Sequence, residues 1–95
     1  MADHQMPIGH DLDLLCDAVT VAASRTHVNQ RTIQRYVRVG VVKAQRLLLL
    51  MDDYGVTGGQ PSGRWESRTV LITGEQVPAK LAELRAIASK EAARG

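Results

Sequence analysis

Apolar residues recur at helical spacing in four stretches of this 95-residue chain. The first runs through Leu14, Leu15, Ala18, Val19 and Ala22, three and four residues apart, which makes one apolar helix face. Asp11 or Asp13 is placed to cap its start, where acids suit the helix dipole, and the pattern fades near Ser24. Arg25 to Val28 reads as a short connection with an extended pairing residue around Val28. Asn29 is a favourable N-cap for a second helix over about 30–37, whose apolar pair is Ile33 and Val37. Gly40 can take a positive φ and turn the chain into a third helix over about 41–54, which stops at Gly55. The fourth stretch, Leu81, Leu84, Ile87 and Ala88, lies in a last helix over about 78–92, with Pro78 in its first turn.

Between the third and last helices the period changes. Val56-Thr57 reads as a short strand, GGQPSGR over 58–64 as a loop, and Ser67 to Thr73 as a β-rich returning strand, together a hairpin. The fold class that follows is mainly α with a small β-hairpin: a winged helix-turn-helix, with a three-helix core, a wing and an additional C-terminal helix. Residues 1–10, with Pro7 and Gly9 and no periodicity, read as a flexible N-terminal tail. Residues 11–76 make the winged-helix DNA-binding domain and 77–95 the C-terminal helix. There are no internal repeats.

At 100° per residue, Ala44, Leu47, Leu48 and Met51 share the core side of the third helix. Val42, Lys43 and Arg46 lie opposite, flanked by Gln45. A helix of this kind enters the major groove with its first turns, so these four are the candidate base and phosphate contacts. Leu49 and Leu50 point away from the core stripe. Two exposed leucines need a cover, either the last helix or a partner protein.

Composition sharpens this picture in one respect. Net charge is only +2, but its distribution is one-sided. Asp3, Asp11, Asp13 and Asp17 precede Ala18, and from Ala18 to Met51 there is no acid at all. That window holds Arg25, Arg31, Arg35, Arg38, Lys43 and Arg46, a footprint for a polyanion; the plainer alternative is a solvated face. Arg35 and Arg38 would lie over the flanking DNA backbone. Tyr36, Tyr54 and Trp65 are the only aromatics, too few for a base-stacking single-strand binder. Cys16 cannot form an internal disulfide and sits in an apolar pattern as a buried thiol. His4, His10 and His27 make no metal-binding spacing. No catalytic pattern or phosphate loop G-x-x-x-x-G-K-[ST] is present, so neither enzyme activity nor a cofactor is expected. The polar start carries no signal peptide, and VVKAQRLLLLM is too short and too charged to span a bilayer; the expectation is a soluble cytoplasmic protein.

Thr32 to Gly58, TIQRYVRVGVVKAQRLLLLMDDYGVTG, resembles the C-terminal winged-helix (gamma) domain of FtsK/SpoIIIE-family DNA translocases, including the actinobacterial TraB-type conjugative translocases. Ile33-Gln34-Arg35, Arg38-Val39-Gly40, Lys43-Ala44, Arg46-Leu47, Gly55-Val56 and Gly58 carry the likeness, and Ser67 to Ile72 looks like the returning wing strand. The resemblance covers about residues 12–73. It implies sequence-specific binding of double-stranded DNA that orients or loads a translocase motor, with a site-specific recombinase as a further partner and roles in conjugation or plasmid transfer. The DNA-binding residues so implied are Arg31, Arg35, Arg38, Val42, Lys43, Gln45 and Arg46, with Arg64 and Arg68 acting from the wing. Val42 stands where the family usually has a base-reading Asn, Leu49 and Leu50 replace polar or acidic residues, and the wing loop with Trp65 is longer. Val42 offers contact only to a thymine methyl, whereas Lys43 and Arg46 suit guanine, so short G-containing repeats are expected. The domain is expected to be monomeric when free, with several copies on one DNA site. A stand-alone plasmid or phage regulator, an excisionase-like factor and a protein-interaction winged helix are the alternatives; in the last, Leu49, Leu50 and the last helix would be the docking face.

Overall fold

The computed structural model describes residues 6–58 and 67–94. Helix α1 spans Leu12–Ala23, strand β1 His27–Val28, α2 Gln30–Val37, α3 Val41–Asp53, β2 Thr57–Gly58, β3 Arg68–Val70 and α4 Val77–Arg94. Helices α1, α2 and α3 pack on one another. The strands form an antiparallel sheet in the order β1-β3-β2, with Val28 opposite Arg68 and Thr57 opposite Val70. This is the expected winged-helix arrangement, with α4 added against α1.

Local chemistry sets most of the boundaries. Asn29 is extended and its side chain accepts from the Thr32 amide at 2.9 Å and from the Thr32 hydroxyl at 3.0 Å, which starts α2 where the sequence places it. Gly55, at φ +81°, ends α3, in a conformation that costs an L-residue its Cβ clearance. The turn between α2 and α3 is built differently from the expectation. Gly40 is extended, at φ −79° and ψ −179°, and Arg38 takes the left-handed conformation, at φ 65° and ψ 52°. The Arg38 amide still donates to the Gln34 carbonyl at 3.0 Å, so the strained residue also closes the last turn of α2. Before α4, Thr73 and Gln76 form a capping box around a 3-10 turn, Gly74–Gln76. Strand β3 is shorter than the sequence pattern suggests, and Leu71 beyond it lies so close to Gly58 that a Cβ there would meet its Cδ1 at 2.9 Å.

Leu15, Val19, Val28, Ile33, Leu47, Leu48, Met51, Val56 and Leu84 fill the core. Leu50 belongs there too and is fully buried, against the expectation that it points away. Residues 6–9 explain the difference, and they are not a loose tail. Ile8 is fully buried, the Met6 amide donates to Asp53 at 2.8 Å, and the Tyr54 hydroxyl donates to the Met6 carbonyl at 2.7 Å. Arg46 reaches the Pro7 carbonyl at 2.6 Å. The segment therefore lies along the flank of α3 that carries positions 46, 50 and 53, and α3 is enclosed over more than one stripe. Leu49 stays exposed. Helix α4 packs chiefly on α1; its Leu84 shares the core cluster with Leu50, but it leaves Leu49 uncovered.

Asp11 secures this flank. It occupies the N-cap position of α1 but makes no capping hydrogen bond. Its carboxylate instead accepts from Lys43 Nζ at 2.7 Å and from Arg46 Nε at 2.6 Å, with its own side chain only 10% exposed. The hydrogen bonds from Lys43 and then Arg46 hold its carboxyl below the usual carboxylate range, against the opposing effect of burial.

Two outcomes follow for stability. Asn29→Ala should cost about 1 kcal/mol in chemical denaturation, the usual loss for an N-cap. Asp11→Asn should cost about 1–3 kcal/mol at pH 7, the range for hydrogen bonds to charged groups. Because the folded carboxyl ionises more readily than the unfolded one, the contribution of Asp11 is present above about pH 4 and is lost as pH falls through the lowered folded value. Denaturation of both proteins from pH 7 down to pH 2 should therefore show the gap between them closing only in acid; a gap independent of pH would remove the charge from this account.

Candidate nucleic-acid interface

Helix α3 presents a stripe to solvent at positions 41, 42, 45 and 49. Val42 is 80% exposed, Val41 48% and Leu49 46%. Gln45 lies among them, half-buried. Its Nε2 donates to Gln30 Oε1 at 3.0 Å, and Gln30 Nε2 donates to Gln34 Oε1 at 3.2 Å. Gln30 is itself buried, so α2 supplies a polar brace beneath the outward face of α3.

The basic residues divide into two groups. Arg25, Arg31, Arg35 and Arg38 are exposed. Arg31 and Arg35 are four residues apart and share the side of α2 opposite Ile33. Arg25, in the α1–β1 turn, places its guanidinium over the Tyr36 ring at 4.6 Å, and Arg35 lies at 5.8 Å from the same ring. Both guanidinium groups are within cation–π range of this exposed ring. Arg25 had been counted in the basic window but not among the site residues, because nothing in the sequence connects it to Tyr36 eleven positions on.

The second group faces inward. Lys43 and Arg46, taken from the sequence as outward groove contacts, both turn back to Asp11, leaving their side chains 40% and 32% exposed. Arg68 is buried and ion-paired to Asp52 at 3.3 Å; Asp52 also accepts from the Thr57 hydroxyl at 2.5 Å. In this position Arg68 ties β3 to the end of α3 instead of standing out on a wing surface. Arg64, the other wing residue, lies outside the described residues.

Burial raises the thiol pKa of Cys16 and the phenol pKa of Tyr54, which leaves Cys16 protonated and a poor nucleophile. Among the described residues no three His, Cys, Asp or Glu side chains gather as metal ligands, and no helix is long and apolar enough to cross a membrane.

No protein-family model matches the chain, and no solved structure matches it significantly. Curated relatives do. The chain is 38% identical over 78 residues to the DNA translocase FtsK of Streptomyces avermitilis, which covers 82% of this chain and 8% of that protein. It is 36% identical over 84 residues to the FtsK of Mycobacterium leprae, covering 88% of this chain and 10% of the relative. Against the FtsK of Tropheryma whipplei it is 36% identical over 83 residues, 86% of this chain and 11% of the other. The chain thus spans only about a tenth of the length of the relatives it matches. Sequence likeness over most of the chain, together with the winged-helix core and its added helix, makes this chain a domain of the FtsK family of DNA translocases.

Proposed function

We propose that this domain binds double-stranded DNA sequence-specifically, with the first turns of α3 in the major groove, and that it orients or loads a translocase motor of the FtsK type. It performs no catalysis itself. The observation that carries this function is the set of four exposed arginines on α2 and its flanking turns, Arg25, Arg31, Arg35 and Arg38, with Arg31 lining the same hollow as Val41 of the α3 stripe, in a segment without a single acid between Ala18 and Met51. Phosphate contacts from such a set fix the domain on the duplex, and the outward stripe of α3 meets the base edges. Relatives named DNA translocase support a DNA-related role for the same span.

The conformation of Arg38 adds support. A left-handed backbone costs a residue with a Cβ about 1–2 kcal/mol, and glycine would avoid that cost. A long cation at this joint, between α2 and the start of α3, has its use where a phosphate can reach it. Lys43 and Arg46 are held by Asp11 and still have unused N–H donors, so bidentate guanine recognition by either, which needs the side chain extended into the groove, competes with that pairing. A second function is favoured by one observation: the outward stripe is mostly apolar, as a protein-docking face would be.

Salt dependence separates the two. With about four phosphates neutralised, the logarithm of the association constant for duplex DNA should fall against log salt with a slope of about −3.5. A flat dependence, or no duplex binding at low salt, rejects the DNA function and leaves the docking face. Arg38→Gly should leave folding stability unchanged or raise it by up to about 1 kcal/mol, while making the salt slope shallower by about 1. A variant that binds DNA as tightly as the parent, with the same slope, would show that Arg38 touches no phosphate.

A further inference from the structure

Within the proposed DNA interface, and resting on it, we infer that Gln45 is the base-reading residue of this domain and that it selects an adenine, with Val42 and Leu49 packing on thymine methyl groups to either side. The sequence pattern had pointed to Lys43 and Arg46 and hence to guanine. Both of those side chains are engaged by Asp11 at 2.7 and 2.6 Å. The polar side chain left on the outward stripe is Gln45.

Its chemistry fits one base edge. Glutamine pairs bidentately with adenine, its oxygen accepting from N6 and its amide donating to N7. Gln45 makes one hydrogen bond among the described residues, the donation to Gln30, so a second N–H and the carbonyl oxygen remain for a base. The Gln30–Gln34 contact below holds the brace in place. A long, flexible side chain that is already positioned loses less freedom on binding, which strengthens discrimination. Residues 42, 45 and 49 lie within about 60° of arc at 100° per residue and span about 10 Å along the helix, roughly three base-pair steps. Neither Val nor Leu can hydrogen-bond to a base, and the apolar feature of the major groove is the thymine methyl. An A·T pair bracketed by thymine methyls matches all three side chains. Gln30 is a positioning residue: it touches no base and acts through Gln45.

The test is selection from randomised duplexes, followed by sequencing, using the whole 95-residue chain and the variants Gln45→Ala, Gln45→Glu and Gln30→Leu. The parent should enrich a site with at least one adenine whose replacement weakens binding about 5- to 100-fold. Gln45→Ala should lose preference at that position alone. Gln45→Glu should move it from adenine to cytosine, because a carboxylate accepts from cytosine N4 and offers adenine N7 no donor. A switched preference cannot come from a variant that fails to fold. Gln30→Leu should weaken the adenine preference while leaving the salt slope unchanged, which a merely structural defect would not do. A parent site made only of G·C pairs, or a site that Gln45→Ala and Gln45→Glu leave unaltered, overturns the assignment to Gln45 but keeps the DNA function. A parent that binds duplexes without enriching any sequence overturns the assignment and sequence specificity together. Absence of salt-dependent duplex binding overturns the assignment along with the DNA function as a whole.

Discussion

One carboxylate organises the side of the molecule where helix α3 begins. Asp11 is nearly buried and receives two charge-assisted hydrogen bonds, from Lys43 and Arg46. Burying a carboxylate is costly unless it is paired and hydrogen-bonded, and here both oxygens are satisfied. Three consequences follow from the pairing. The start of α1 is joined to α3. Arg46 is turned towards the Pro7 carbonyl, so that residues 6–9 lie against α3 and Ile8 enters the core. Two of the six basic residues in the acid-free window are engaged by this carboxylate, which leaves the arginines of α2 and its flanking turns to supply the fully exposed charge.

The sheet joins the same elements from the other side. Strand β3 lies between β1 and β2, so the α1–α2 connection and the chain beyond α3 are paired to a common strand. Two residues of β1 and two of β2 would hold little by themselves. Arg68 strengthens the junction by reaching Asp52 at the end of α3, where Thr57 of β2 also bonds. Helix α3 is thus fixed near its start by Asp11 and near its end by this cluster. Its outward stripe, lying between the two, is presented on a rigid element.

Most of this architecture is legible in the sequence, because its determinants are local. The spacing of Leu15, Ala18, Val19 and Ala22 marks α1, Asn29 opens α2, and Gly55 closes α3 where a positive φ is needed. What the sequence hides depends on residues far apart in the chain. A helical wheel places Lys43 and Arg46 outward, but long side chains bend, and their partner Asp11 lies more than thirty positions earlier. The same wheel assigns Leu50 to the outside because it assumes a single buried stripe, whereas residues 6–9 cover a second one. At the α2–α3 turn two residues could have supplied the left-handed step. Glycine is the usual choice, yet Arg38 takes it and Gly40 is extended. Gln30 shows the converse problem: a polar residue on the inner side of a helix carries no signal until its partner Gln45 is seen above it.

The amides of Ile8 and Gly9 both donate to the carboxylate of Glu91, at about 3 Å, which sets the incoming strand of the chain beside the final turns of α4. The segment at Ile8 and Gly9 is thereby fastened to the C-terminal part of α4. A pull on this segment would load the Glu91 contact, the Met6 bonds to Asp53 and Tyr54 and the Arg46 bond to the Pro7 carbonyl together. The incoming segment therefore holds α3 at Arg46 as well as at its tail, and any load on it is shared along the helix.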